Sequence, residues 1–293
     1  MTLTTSAIQV YHLRFQKVLR YIDMNLDEDL NIDTLSNIAA FSRFHFHRQF
    51  TALFGVTIFK YIQLLRLKRA SYKLAFRDDS IIDIALASGY DGPEAFTRAF
   101  KKHIGQPPSA FKKNPIWESL TIFDSLHEVT IMKTDRTPRP PVTFINFPET
   151  RIAVLEHQGD PARIGESIRR FIDWRKATGL TPKISATFNI LYVDPLTTPP
   201  EDYRIDLCAT IKTPVAANNV GIIEKVIPGG RCAVLRHTGS DSGLRDSVSY
   251  LYADWLPQSG EELRDFPIYC QRVRFFPDVP EHEAITDIFL PLK

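Results

Sequence analysis

The chain has 293 residues, a length that favours two domains. Its 44% hydrophobic and 24% charged residues are typical of a globular protein, which excludes a wholly disordered chain. No apolar run reaches the ~18–20 residues of a membrane-spanning helix. Residues 1–10 lack the basic and apolar segments of a secretory signal, and the three cysteines are odd in number and widely spaced. We therefore expect a cytoplasmic protein with reduced thiols and no membrane partner.

Charge is unevenly distributed along the chain. Residues 1–113 contain 16 basic and 10 acidic residues, whereas residues 114–293 contain 20 basic and 24 acidic residues. A basic first part indicates a polyanionic partner, although scattered solvated charges would give the same count.

The first part of the chain reads as a series of helices. Apolar residues recur at helical spacing over 8–26, and residues suited to helix capping precede each later segment. Ser80 with Asp83 resembles a capping box, and Pro93 suits a first helical position. After 8–26, the predicted helices are a short one containing Ile32 to Ala39, one from the cap Ser42 to Phe54, one over about 59–76, a short one opened by Ser80, and one from Pro93 to about His103.

A shift of 50 residues superposes two parts of this helical region. Each copy predicts a short helix, a tight turn and a second helix, which is the helix-turn-helix arrangement. In each second helix, phenylalanines four residues apart must face the core of the domain, so other side chains of the helix face outward. There, arginine can bond guanine and lysine can bond phosphate. The superposed pairs are Ile32 and Ile82, Asp33 and Asp83, Phe46 and Phe96, Arg48 and Arg98, Phe50 and Phe100, and Gly55 and Gly105. The outward residues are Arg43, His47, Arg48 and Thr51 in the first copy, and Glu94, Ala95, Thr97, Arg98 and Lys101 in the second.

Residues 30–113 resemble the DNA-binding domain of AraC-type transcription regulators. The resemblance rests on the segment Phe41 to Phe50, on Gly55 and Tyr61, and on later residues such as Gly89, Tyr90 and Pro108. It implies a bacterial regulator in which the helix at 59–76 joins two helix-turn-helix units that read successive major-groove segments about 34 Å apart. Phe44, His47 and Arg48 match base-facing positions of the first recognition helix. The matching positions of the second are Pro93, Glu94, Thr97 and Arg98.

The remainder of the chain contains a second duplication, with an offset of 80 to 81 residues. Residues 114–141 are proline-rich and read as a linker with one short strand near 129–133. Beyond them, Arg151 to His157 matches Arg231 to His237, and Trp174 matches Trp255. Each copy predicts strand, strand, helix, strand and strand, so the sequence predicts an antiparallel sheet of about eight strands with two helices on one face. We expect the other face to form a ligand cleft at the centre of the duplication.

Residues 140–293 resemble the GyrI-like ligand-binding domain, which is also found at the C-terminus of Rob-type regulators. The resemblance rests on segments such as Leu235 to Gly239 and Thr286 to Pro291. It implies a pocket for small, often aromatic or cationic molecules. Many members carry a glutamate before the tyrosine of the strand that here reads Ile268 to Arg272, and this chain has Ile268 in its place.

Strand alternation selects candidate ligand-binding residues. If the apolar side of the strand at 203–211 packs on the helices, Asp206 and Cys208 face the cleft, and Asp287 and Phe289 do so from the second copy. Ordinary core packing remains an alternative for each aromatic residue, and Arg204 can neutralise Asp206. The candidates are Tyr192, Asp206, Glu224, Tyr269, Glu283 and Asp287.

Catalytic and metal-binding motifs are not recognised in this sequence. The segment Gly239 to Gly243 has aspartate where a nucleophile elbow needs serine, and His45 and His47 diverge on a helix, so they cannot share a metal. We therefore expect no catalytic residue, no metal and no cofactor.

The sequence predicts three parts: an all-α DNA-binding domain over 1–113, a linker over 114–141 and an α+β effector-binding domain over 142–293. The expected function is sequence-specific transcription regulation modulated by a small molecule. The expected partners are promoter DNA, RNA polymerase and an unidentified effector, with the chain a monomer or a homodimer. The alternatives are a small-molecule hydrolase or sequestering protein with a vestigial DNA module, and an architectural DNA binder without sequence preference.

Overall fold

A computed structural model describes residues 3–123, 140–195 and 197–293, with side chains given from residue 13 onward except at 121 and 122. The chain divides into two compact units, Met1–Pro138 and Arg139–Lys293, each of which is described by itself. The strand expected near 129–133 lies outside the described residues.

The described part of the first unit is helical. No described helix is by itself long and apolar enough to span a membrane, and one pair of helices bent by 56°, Arg43–Phe54 with Ile58–Phe76, meets the criteria of length and composition together. The helices are α1 (Leu3–Met24), α2 (Ile32–Ile38), α3 (Arg43–Phe54), α4 (Ile58–Phe76), α5 (Ile81–Ala87), α6 (Pro93–Ile104) and α7 (Pro108–Lys113), followed by a 3-10 helix at Trp117–Phe123.

Local capping explains where most of these helices begin. Asn31 and Ser42 accept hydrogen bonds from the backbone amides of Thr34 and His45, as the sequence predicts. Ser80 Oγ accepts from the backbone amide of Asp83 and donates to Asp83 Oδ2 at 2.6 Å, so Ser80 caps the helix and Asp83 bonds the cap hydroxyl in place of the backbone-amide bond of a capping box. The second recognition helix differs, because Gly92 supplies no side-chain cap and Pro93 occupies the first turn.

Two sets of aromatic rings form the cores of the two helix-turn-helix copies. In the first copy, Phe50 contacts the rings of Phe46, Phe54 and Tyr61. The first helix covers this set, because the Phe15 ring stacks on Phe46 at 5.9 Å. In the second copy, the set is Tyr90, Phe96, Phe100 and Phe111.

The segment that the sequence reads as the start of the linker is partly folded in the structure. The 3-10 helix within 114–141 buries Trp117, whose ring stacks on Phe76 of α4 at 5.5 Å. Helix α7, which lies before the predicted linker, was also not predicted. The sequence signal failed here because proline-flanked helices of six or seven residues are too short to show periodicity.

The second unit is one antiparallel sheet of eight strands with helices, as predicted. The strand order is β1-β6-β8-β7-β3-β4-β2-β5. The elements are β1 (Thr143–Phe147), β2 (Thr150–Gln158), α8 (Ile164–Ala177), β3 (Thr187–Leu191), β4 (Arg204–Thr210), β5 (Ile222–Ile227), β6 (Gly230–Thr238), α9 (Leu244–Tyr250), a π-helical turn (Leu251–Trp255), α10 (Leu256–Ser259), β7 (Tyr269–Arg274) and β8 (Ile285–Pro291).

The two copies of the duplication exchange their first strands. Strand β1 precedes β2 in the chain but pairs with β6 of the second copy, and β5 precedes β6 but pairs with β2 of the first copy. Strands β3 and β7 meet at the centre, where Asn189 lies opposite Cys270. The β3–β7 pairing joins both copies into one sheet, and the exchange places one strand of each copy on the outer edge of the other.

One face of this sheet is covered by the helices. Phe171 of α8 packs on Leu155 and Leu207. In the second copy, α9, the π-helical turn and α10 form one continuous helix, here called the second-copy helix, whose Leu244 and Leu251 pack with Leu235 and the neighbouring strands. The offset between the copies grows from 80 residues at Phe171 and Leu251 to 81 residues at Trp174 and Trp255. The π-helical turn at Leu251–Trp255 accommodates this extra residue and keeps Trp255 against the core.

The other face curls around a core of its own. Strand alternation predicts an open cleft here, whereas the structure fills the centre with the rings of Phe147, Phe188, Tyr269 and Phe289. The rings of Tyr269 and Phe289 stack at 5.0 Å, and Tyr269 is fully buried. The prediction was wrong for the centre of this face because the exchanged edge strands supply side chains, such as Phe147, that close the curled sheet.

Candidate DNA interface and effector site

Each of the two recognition helices, α3 and α6, has one buried side and one exposed side. Phe46 and Phe50 in α3, and Phe96 and Phe100 in α6, are fully buried. This anchoring turns Arg48 and Arg98 into solvent at equivalent positions of the two copies.

Most of the predicted DNA-binding side chains are exposed. Phe44 is 81% exposed, the largest exposed fraction among the large hydrophobic side chains that the structure describes. His47 and Thr97 are half-buried. The exposed residues are Arg43, Phe44 and Arg48 on α3, and Glu94, Arg98 and Lys101 on α6.

The first recognition helix also borders a concave surface of about 690 Å³. Arg43 lies at its edge and pairs with Asp33 of α2, with Nε 3.1 Å from the carboxylate. Both side chains are more than half exposed, so solvent screens this ion pair and Arg43 can exchange it for a phosphate. The residues lining the surface are Ile32, Arg43, Phe44, His45, His47 and Arg48.

The six predicted ligand-binding residues do not form one cluster. Tyr192 and Asp206 are joined directly, because the Tyr192 hydroxyl donates to Asp206 Oδ2 at 2.9 Å. Lys225 Nζ lies 2.7 Å from the same oxygen, so the fully buried Asp206 is part of an internal ion network. Burial, followed by the Asp206 carboxylate, raises the pKa of the Tyr192 hydroxyl.

The other four candidates lie elsewhere in the second unit. Tyr269 is in the aromatic core, and its hydroxyl lies 3.4 Å from Cys232 Sγ. The remaining three are carboxylates that pair with arginines. Asp287 pairs with Arg236. Glu224, on the edge strand β5, pairs with Arg151 of β2, and Glu283, just before β8, pairs with Arg274 of β7.

A polar strip that sequence reasoning missed lies on the helix-covered face, along the two central strands. Arg272 Nε donates to Asn189 Oδ1 at 3.0 Å, and Arg272 Nη1 lies 3.4 Å from Thr286 Oγ1. The same guanidinium pairs with Asp241, in the loop before α9. Asn189, Thr286 and the neighbouring Tyr203 are buried. Buried polar groups at the centre of a sheet are the kind of convergent polar set that orients a ligand.

Burial and charge act together on this strip. Burial acts to lower the pKa of the Arg272 guanidinium, but Asp241 more than offsets it, so the pKa lies above its ordinary value. Burial raises the pKa of the Tyr203 hydroxyl to about 12. At neutral pH the strip therefore carries a cationic guanidinium beside a neutral phenol.

One sequence signal could have identified the strip. Ile268, Cys270 and Arg272 occupy every second position of one strand and so share one face of the sheet, and Ile268 and Cys270 pack against the helices. The duplication places Arg272 at the position of the apolar Leu191, which marks a charge introduced into one copy alone.

Family models match both units of the chain. The model of the GyrI-like small molecule binding domain matches residues 140–293, and a helix-turn-helix domain model matches residues 35–114. The chain belongs to the GyrI-like family and joins this domain to an AraC-type helix-turn-helix domain.

Curated relatives match each unit and the two together. The probable transcriptional regulator YgiV of Escherichia coli (strain K12) is 38% identical over 152 residues, which are 52% of this chain and 95% of that protein. The uncharacterized HTH-type transcriptional regulator YbfP of Bacillus subtilis (strain 168) is 40% identical over 102 residues, 35% of each chain. The right origin-binding protein of Escherichia coli (strain K12) is 26% identical over 262 residues, 82% of this chain and 83% of that protein. The chain is a transcription regulator with a DNA-binding domain and a small-molecule-binding domain.

Proposed function

We propose that α3 and α6 read two successive major-groove segments of a promoter from one polypeptide. The observation that carries this proposal is the repeated placement of Arg48 and Arg98, each exposed two residues from phenylalanines that are buried, Phe46 and Phe50 in α3 and Phe96 and Phe100 in α6. Arginine in the major groove bonds guanine with two donors, and the exposed Phe44 suits apolar contact with a thymine methyl group. Arg43, His47, Glu94, Thr97 and Lys101 complete the two surfaces and contact bases or phosphates.

We further propose that effector binding in the second unit changes DNA affinity or contact with RNA polymerase through the segment at 114–141. An effector can do this only if it binds the DNA-competent and incompetent states with different affinities. We assign the protein to the cytoplasm and give it no enzymatic role. Because one chain carries two recognition helices, a monomer is sufficient to bind a DNA site with two elements, and a dimer is not excluded.

Selection of sheared genomic DNA by the purified full chain at physiological salt, followed by sequencing, tests the DNA-binding proposal. We expect a shared site with two elements about 10 base pairs apart. The Arg48→Ala, Arg98→Ala double variant should lose this enrichment, whereas Arg20→Ala, on an exposed arginine of α1, should retain it. Enrichment without a shared site, together with a steep salt dependence, would instead indicate an architectural binder.

A further inference from the structure

The polar strip lies between two separate apolar clusters on the helix-covered face. One cluster joins α8 to Leu155 and Leu207, and the other joins the second-copy helix to Leu235 and Ile288. Arg272 projects from the strand between them, opposite Thr187 of β3. Its position at the centre of the duplication therefore differs from that of the surface arginines described above.

The two partners of the Arg272–Asp241 ion pair are held very differently. The Arg272 side chain is 18% exposed and is fixed by Asn189 and Thr286, whereas Asp241 is 68% exposed in a short turn before α9. The guanidinium is thus preorganised, and its carboxylate partner belongs to an exposed loop residue. The guanidinium of an arginine can donate two parallel hydrogen bonds to a carboxylate, whether the carboxylate belongs to a side chain or to a ligand.

A second cation lies next to the strip. Arg175 of α8 is 5% exposed and donates to Thr187 Oγ1 and to the backbone carbonyls of Leu180 and Ser185, all of them neutral oxygens. Burial lowers the pKa of this guanidinium to about 10, so it remains charged at neutral pH. Its positive charge favours an anion at this end of the strip.

We propose that the effector site of this regulator takes a small organic carboxylate with an apolar body, and that the ligand carboxylate replaces Asp241 at Arg272. This inference rests on the proposed effector-binding function and assigns its ligand class. The apolar body would lie against Leu191, which packs on the cluster beneath α9, and against the buried Tyr203, which lies two residues before Ile205, the β4 residue opposite Leu191. Release of Asp241 frees the turn Asp241–Gly243, which leads directly into α9.

Calorimetric titration of the full chain with three naphthalene probes tests the charge preference. The probes are 2-naphthoate, neutral 2-naphthamide and cationic 2-naphthylmethylammonium, which share one ring system. We expect 2-naphthoate to bind about tenfold more tightly than the other two, since a charge-assisted bidentate contact distinguishes them. Tighter binding of the cation would overturn the inference and leave effector binding intact. Failure of all three probes would overturn the carboxylate assignment, and effector binding would then be tested by the response of DNA affinity to other small molecules.

Two variants test the residues. Asp241→Asn, at an exposed position that tolerates substitution, should tighten 2-naphthoate binding severalfold because the competing carboxylate is removed. Arg272→Gln should weaken it about tenfold and abolish the preference over 2-naphthamide. Arg236→Gln is the matched control, since Arg236 forms an exposed pair with Asp287 on the other face of the sheet, and it should leave binding unchanged. Unchanged affinity in Asp241→Asn would contradict the exchange of carboxylates.

Discussion

Both units of this regulator arose from duplicated segments, and the two duplications are joined in different ways. In the first unit, the copies lie side by side, each with its own aromatic set, and α4 connects them. In the second unit, the copies exchange β1 and β5 and build one sheet. A substitution in one of two side-by-side copies leaves the core of the other intact. Copies that exchange strands, here called interlocked copies, share one core, so a substitution or a bound ligand affects both. This difference suits two DNA-reading surfaces in one unit and a single effector site in the other.

The largest expected effect is on the interlocked core. Phe147 of β1 contacts the rings of Phe188, Tyr269 and Phe289, which come from both copies. Phe147→Ala should therefore lower the free energy of unfolding of the second unit by about 3–5 kcal/mol, as for other buried phenylalanines. Urea denaturation followed by tryptophan fluorescence in a variant without Trp117 measures this loss, because Trp174 and Trp255 report on one copy each.

The interlocked arrangement also predicts that both copies unfold in one transition. Single-tryptophan versions of Phe147→Ala that retain Trp174 or Trp255 should give the same midpoint. Phe144→Ala is the control on the same strand, since Phe144 is 48% exposed and its loss should cost much less. Two separate midpoints would contradict the idea that the copies form one cooperative core.

The side-by-side copies of the first unit predict independent effects on DNA binding. Arg48→Ala and Arg98→Ala should each cost roughly 1–3 kcal/mol of site-specific affinity, because each would remove the bidentate base contact that we propose for it. Their losses should add in the double variant, since the two side chains belong to separate modules, and the summed loss is what removes enrichment in the genomic selection. Fluorescence anisotropy with the selected site measures the affinities, and footprinting should show that each variant loses protection of a different half. A strongly non-additive double variant would indicate that the two surfaces act as one.

Local signals predicted most of the fold. The caps at Asn31, Ser42 and Ser80 predicted helix starts because capping depends on neighbouring residues. The two repeat offsets predicted the paired helix-turn-helix units and the eight strands because similar segments adopt similar folds. The strand exchange escaped prediction, because pairing between distant strands leaves no periodic signal in the sequence.

The candidate effector site was predicted less well than the fold. Alternation correctly placed Asp206 and Cys208 on the face opposite the helices, but it could not show that Phe147 and Tyr269 fill the centre of that face. Arg272 was overlooked, since its importance depends on Asn189 and Asp241, which are distant in sequence. The shift of the repeat offset from 80 to 81 was visible in advance, and the structure gives it a physical meaning as a π-helical turn.

A smaller effect should distinguish the two helix-turn-helix copies by their caps. Ser80 makes two hydrogen bonds with Asp83, whereas Ser42 accepts one long bond of 3.4 Å from the backbone amide of His45. Ser80→Ala should therefore destabilise the first unit by about 1 kcal/mol, and Ser42→Ala by less. Urea denaturation followed by the fluorescence of Trp117, in a variant without Trp174 and Trp255, measures both. An equal loss in the two variants would show that the second bond at Ser80 adds nothing.

The smallest expected effect at neutral pH concerns a histidine–serine pair that occurs in both copies of the second unit. His157 Nδ1 lies 2.9 Å from Ser167 Oγ, and His237 Nδ1 lies 3.0 Å from Ser247 Oγ. His157 is buried, and burial lowers the pKa of its imidazole. Because the unfolded chain takes up this proton near pH 6.5, the stability present above that pH should be lost as the pH falls toward the lower folded-state pKa.

The pair thus offers an internal comparison between the copies. His157→Gln should reduce the loss of unfolding free energy between pH 7.5 and pH 5.5, whatever it costs at pH 7.5, because the titrating group is gone. His237→Gln is the matched control, since it removes the equivalent hydrogen bonds in the second copy, where the histidine is half-buried. If the loss between the two pH values were the same in His157→Gln as in the unmodified chain, burial of this imidazole would not contribute to the acid sensitivity of the second unit. A reduction in His157→Gln alone would show that even interlocked copies keep separate electrostatic environments at equivalent positions.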